Sequence, residues 1–149
     1  WARKLILMHP EANEDVVLSG VWSHDIGQIV GNKEIDHAIN SEAEVRKFLK
    51  SLNIEEGFVE KVAHCARSHR CKDVQPTTLE AKIVAVADSA SHMTDIVYID
   101  MSNRDDVEAA KGKLERDYRD TGIFPELQSS IKPLYTAWKN LLDVYPKEI

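Results

Sequence analysis

Apolar side chains recur at helical spacing along almost the whole chain, and the strict alternation that a strand needs is scarce, so the sequence predicts an all-α protein. Trp1 to Met8 has the pattern of an amphipathic helix already under way, with no initiator methionine and no cap, which predicts that an earlier part of that helix precedes Trp1. Asn13, followed by Glu14 and Asp15, caps a helix through Val16, Val17, Val21 and Trp22 that ends near His24 and Asp25. Gly27 to Lys33 reads as a loop, and a short helical piece follows around Asp36 to Asn40. Ser41, with Glu44 three residues on, forms a capping box for a helix through Val45, Phe48, Leu49 and Leu52.

From Glu55 to about Ser68 the positions Phe58, Val59, Val62, Ala63 and Ala66 predict another helix. A polar loop over Arg70 to Thr77 leads to Thr78, which can cap a helix whose apolar stripe (Leu79, Ile83, Val86, Ala87, Ala90) is wide enough for burial. Ser102 with Asp105 predicts the start of a charged helix running to about Asp120, stopped by Thr121 and Gly122. A last helical region carries Leu127, Ile131, Leu134, Tyr135, Trp138, Leu141, Leu142 and Tyr145, bent or restarted at Pro133. Its stripe suits either core packing or a homo-oligomeric seam.

Composition narrows the class. At 149 residues and 43% hydrophobic the chain can bury an ordinary core, so a single domain is expected, with a core over about residues 1 to 95 and C-terminal helices over about 96 to 149 packing on it. A net charge of −6 and a pI near 5.5 argue against bulk nucleic acid and against an anionic membrane surface as partners, since both call for a basic patch. Two cysteines, no signal-peptide pattern and no membrane-spanning apolar run point to a reduced, cytoplasmic setting.

The candidate chemistry starts at His24-Asp25, an imidazole beside a carboxylate where a helix gives way to a glycine-containing loop. Asp88 lies in Ile83-Val84-Ala85-Val86-Ala87-Asp88, among small and aliphatic residues, where an ionised carboxylate costs several kcal/mol unless paired. A salt bridge would satisfy it, and so would a metal shared with His24 and Asp25. One imidazole and two carboxylates suit Mn, Fe, Co, Ni or Zn better than Mg. His37, His64 and His69 each read singly as surface or cap histidines, but together they form a second candidate group. His64 and His69 are about 140° apart around a helix, so both reach one site only if the helix ends near Ser68. His92, one turn after Asp88, shares its helical face. Lys33, just past the His-Asp pair, and Arg70 are candidates to meet a phosphate. Cys65 and Cys71 do not have a usual zinc-finger spacing.

These residues in this order resemble the HD-domain superfamily of metal-dependent phosphohydrolases, most closely its small stand-alone prokaryotic members. The resemblance runs from about Ala2 to Thr94, through Val16 to Gly27, Asp36-His37-Ala38, Val62 to His69, and Pro76 to Ile83 leading to Asp88. It implies an all-α bundle around a central metal site, with His24, Asp25 and Asp88 as ligands. The family's remaining ligand is a histidine one helix earlier, a position that here falls before Trp1. Asp88-Ser89-Ala90-Ser91 departs from close relatives, which carry a second charged pair after the aspartate.

The implied activity is hydrolysis of a nucleotide or another small phosphate ester through a metal-activated water. Asp25, Lys33, His64 and His69 then take catalytic roles; Lys33, His37, His64, His69 and Arg70 face the substrate. In dinuclear members of the superfamily His37 and His64 would instead hold a second metal. Two other outcomes fit the same scaffold: a di-iron oxygenase, and a non-catalytic sensor or scaffold.

Overall fold

The computed structural model describes residues 1–104 and 106–145. Among them the regular structure is helical throughout: α1 (Ala2–Met8), α2 (Glu14–Ser23), a 3-10 turn (Ile26–Gln28), α3 (His37–Ser51), α4 (Glu56–Ser68), α5 (Leu79–His92), α6 (Val97–Arg104), α7 (Val107–Thr121) and α8 (Pro125–Val144). The all-α expectation holds. The chain divides into two compact units, Trp1–Ala87 and Asp88–Ile149. No helix among the described residues is long and apolar enough to cross a membrane.

In the first unit, α2 starts where the sequence predicts, with the Asn13 side chain accepting from the Val16 N–H. The Asn13 N–H in turn donates to Glu80 on α5 at 3.0 Å. Glu55 caps α4 by accepting from Gly57 and Phe58, and the Thr78 hydroxyl accepts from Ala81 at the start of α5. Val16, Val17, Val59, Val62, Ala63 and Ile83 are buried between these helices. Gly20 lets them approach closely: a Cβ there would stand 2.9 Å from the Cys65 Cβ and 3.0 Å from Val84.

Two expectations about helix starts need correction. There is no separate piece before Ser41. A single helix, α3, begins at His37 with Asp36 as its cap, and Ser41 lies buried inside it with its hydroxyl accepting from the Gly27 N–H at 2.9 Å. Ser102 likewise caps nothing. It lies within α6 and donates back to the Tyr98 carbonyl, while the charged helix α7 is capped by Asp106, which accepts from Ala109; Asp105 lies outside the described residues.

In the second unit, α7 ends at Thr121 with Gly122 as C-cap, and α8 continues through Pro133 as one helix. Of its stripe, Leu127, Ile131 and Leu142 are buried whereas Leu134 and Leu141 are exposed. Tyr98 packs edge-on against Trp138 and donates its hydroxyl to Asp117 at 2.8 Å. Trp138 Nε1 donates to the Met93 carbonyl.

Candidate metal centre

Helix α2 ends at Ser23. His24 is its C-cap, still in helical conformation, and Asp25 leaves the helix at φ −106°, ψ 7° to start the 3-10 turn. That turn is pressed against the first turn of α3. A Cβ on Gly27 would lie 2.2 Å from the His37 carbonyl oxygen and 2.6 Å from the Ser41 nitrogen, so only glycine permits the approach. The approach brings Asp25 to His37, the first residue of α3. Helix α4 packs beside both α2 and α3 and ends at Ser68, which places its C-cap His69 at the same point.

Three donor atoms converge there. Asp25 Oδ1 is 3.2 Å from His37 Nε2 and 3.4 Å from His69 Nε2, and the two nitrogens are 3.3 Å apart. These three residues form the one group of three or more metal-competent side chains found among the described residues. Such separations are those of neighbouring ligands on one transition-metal ion, whose bonds to nitrogen and oxygen run about 2.0–2.2 Å.

The hydrogen bonding around the group fits an ion. His69 Nδ1 is 2.7 Å from the Ala66 carbonyl and His24 Nδ1 is 2.8 Å from the Val21 carbonyl. A carbonyl can only accept, so both Nδ1 atoms carry a proton, which leaves Nε2 as the ring nitrogen that can face an ion. Asp25 Oδ1 is shielded from solvent yet makes no hydrogen bond, and a buried acceptor left that way is costly unless something cationic reaches it. Donor chemistry and geometry therefore agree with a divalent transition metal held by Asp25, His37 and His69. His24 stands at the edge of this group, its Nε2 3.8 Å from Asp25 Oδ2 and its ring centroid 5.0 Å from that of His69.

Electrostatics keep these groups in ligating form. Burial works against ionisation of Asp25, but His69, His24 and Gln28 outweigh it and hold the carboxyl well below the usual carboxylate range; Gln28 Nε2 donates to its Oδ2 at 2.5 Å. Burial pushes the His37 ring below the ordinary histidine value, with His69 and Arg70 adding to the effect and Asp25 opposing it. His37 is thus neutral near pH 7.

The other residues singled out in the sequence take varied places. His64 is apart from the group: its Nε2 accepts from the Thr77 N–H at 3.2 Å and lies 3.0 Å from the Thr77 hydroxyl. Lys33 folds back to donate to the Gln28 carbonyl, closing the turn whose Gln28 side chain holds Asp25. Arg70 donates to Asp36 Oδ2, next to His37, and Lys72 lies 3.9 Å from the same oxygen. Asp88, the first residue of the second unit, has His92 Nε2 3.6 Å from its Oδ1, and His92 Nδ1 is 3.2 Å from Asp117. Cys65 is buried, and burial pushes its thiol up to about 12, which leaves it inert.

Sequence reasoning gave His37 and His69 to the substrate, His69 also to catalysis and His37 with His64 to a second metal, and did not see that His37 and His69 join Asp25. The missing signal was Gly27. A glycine two residues past a candidate ligand marks a close backbone approach, and its partner across that approach is the start of α3.

The family model described as HD domain matches residues 1–93, which contain Asp25, His37, His69 and His24. Comparison with curated proteins gives no significant match, and neither does comparison with solved structures. The matched span covers more than half of the 149 residues, and the chain belongs to the HD-domain family.

Proposed function

We propose that this protein is a metal-dependent phosphohydrolase acting on a nucleotide or another small phosphate ester. The observation that carries the reading is the convergence of Asp25 Oδ1, His37 Nε2 and His69 Nε2, with His69 Nδ1 already engaged by the Ala66 carbonyl. Membership of a family made up mostly of metal-dependent hydrolases supports it.

A divalent transition metal bound here (Mn, Fe, Co, Ni or Zn) supplies Lewis acidity, lowering the pKa of water and offsetting phosphoryl charge. Asp25, ionised and held by Gln28 through Oδ2, orients the attacking water. Arg70 and Lys72, gathered around Asp36, attract the phosphate, and a small substrate rather than bulk nucleic acid suits a chain of net charge −6. Lys33 supports the turn and takes part in phosphate binding when its ammonium leaves the Gln28 carbonyl.

The test is a screen of nucleotides and simple phosphate esters with each of the five metals supplied separately, monitoring phosphate and pyrophosphate. The expected result is metal-dependent turnover of at least one ester that Asp25→Ala abolishes with helix content unchanged. Turnover undiminished in Asp25→Ala, or no turnover with any metal, overturns the proposal.

A further inference from the structure

Two large aromatic side chains of the first unit stand open to solvent: Trp22 is 88% exposed and Phe48 62%. They belong to one concave surface, a groove of about 1030 Å³ between α2, α3 and α4 that Leu18, Leu49, Ile54 and Phe58 also line. A concave surface lined by exposed aromatic and aliphatic side chains is the kind of place where a partner's apolar groups can be buried. The volume is at the upper end of the range for small-molecule sites, about 300–1,000 Å³.

Charge decides among the occupants. Every charged side chain lining the groove is acidic: Asp15, Glu44 and Glu55. Glu55 is fixed in place, its carboxylate accepting from the Gly57 N–H at 2.7 Å and the Phe58 N–H at 2.9 Å, and these bonds hold its pKa below the usual range. Asp15 lies in the first turn of α2, and Glu44 faces Lys47 at 3.4 Å. A second copy paired through this face would set one all-acidic patch against another, because a two-fold interface uses one patch twice. An anionic lipid surface would meet the same repulsion. A partner with basic residues beside an apolar ridge would instead be attracted and oriented.

A groove walled by three helices and lined by bulky apolar side chains suits the insertion of an amphipathic helix, read by anchors at i, i+3 or i+4, and i+7. We infer that this groove docks an amphipathic helix of another protein, one that carries Lys or Arg on both flanks of its apolar face. Ile26 also lines the groove and directly follows Asp25, so the docked helix rests against the turn that presents the candidate metal ligand.

The experiment uses the full chain and a panel of labelled synthetic helical peptides, each about four turns long, with Leu or Phe at i, i+4 and i+7. One series has Lys and Arg flanks and the matched series has Glu. Fluorescence anisotropy is expected to show binding of basic-flanked peptides, weakened about tenfold or more by Phe48→Ser as for loss of an anchor, and weakened by Glu44→Lys and by raising salt from about 50 to about 500 mM. Trp22→Ser gives a second test at a more exposed position, and thermal melts check that each variant is folded. Failure of every peptide, equal binding of the Glu-flanked series, or binding indifferent to both Phe48→Ser and Trp22→Ser overturns the inference. So does self-association in sedimentation equilibrium that Phe48→Ser abolishes, or Phe48-dependent binding to phosphatidylserine vesicles.

Discussion

At the scale of single residues, the capacity of the candidate site to take a metal depends on how its imidazoles are oriented and protonated. His69 is 2% exposed and gives its Nδ1–H to a backbone carbonyl, so the ring is oriented with Nε2 toward Asp25 and His37 before any ion arrives. His64 is a different case, since it accepts from Thr77 rather than joining the ligands. Burial lowers its pKa. A histidine whose folded pKa is depressed contributes stability that is fully present above the unfolded value, about 6.5, and is lost as pH falls through the folded value. Chemical denaturation of the metal-free protein between about pH 7.5 and 5 is therefore expected to show stability declining toward acid. His64→Gln, which keeps an acceptor for Thr77 but does not titrate, should flatten part of that decline. An unchanged slope would mean that His64 is not held neutral by the fold.

The candidate site was partly legible at this scale. His24-Asp25 and the histidines at 37 and 69 stand out by residue type, and the α4 end at Ser68 that frees His69 from His64 was readable from the polar loop after it. Their grouping was not readable, because it depends on a backbone approach at Gly27 that no periodicity encodes.

At the scale of elements, local caps explain most helix starts, and the two that sequence misplaced fail for one reason. Around α3, Asp36 and Ser41 are both good N-cap residues, and local preference does not choose between them. The contact from Ser41 Oγ to the Gly27 N–H chooses, drawing Ser41 into the helix and leaving Asp36 to accept from Ala38. The same contact joins the 3-10 turn to α3 and so aligns Asp25 with His37. Gly27→Ala drives a Cβ into the His37 carbonyl, and overpacking of this kind costs about 1–3 kcal/mol. Urea denaturation is expected to register that loss, with metal affinity falling in step. Full stability in Gly27→Ala would show that the turn relaxes without cost and that the approach does not set the site.

At the scale of the whole molecule, each of the two units has its own core and its own polar centre. The first holds the candidate metal group. In the second, Asp117 is buried and accepts from Tyr98 and Lys113, with His92 Nδ1 alongside; burial, reinforced by Asp117, raises the Tyr98 pKa and keeps the phenol protonated. Removing the hydroxyl in Tyr98→Phe leaves a buried carboxylate short of one donor, a loss of about 1–3 kcal/mol to be measured by denaturant unfolding, and a neutral result would place that carboxylate's support with Lys113 and His92. The all-helical class was legible from apolar spacing because 3.6-residue periodicity runs through nearly every segment. The break between α6 and α7 was not, since Ser102 offers the same capping chemistry as Asp106 and only the burial of Tyr98 draws residues 97–104 into a helix of their own.

The central claim is that Asp25, His37 and His69 hold a divalent metal, and calorimetric titration of chelator-stripped protein with Mn²⁺, Co²⁺ or Zn²⁺ tests it most directly. Tight uptake of at least one ion per chain is predicted, weakened about a hundredfold or more by Asp25→Ala and by His69→Ala, since loss of even a residue supporting a ligand costs about 10–100-fold. Absence of uptake in the native protein, or uptake undiminished by Asp25→Ala and His69→Ala, would contradict the account.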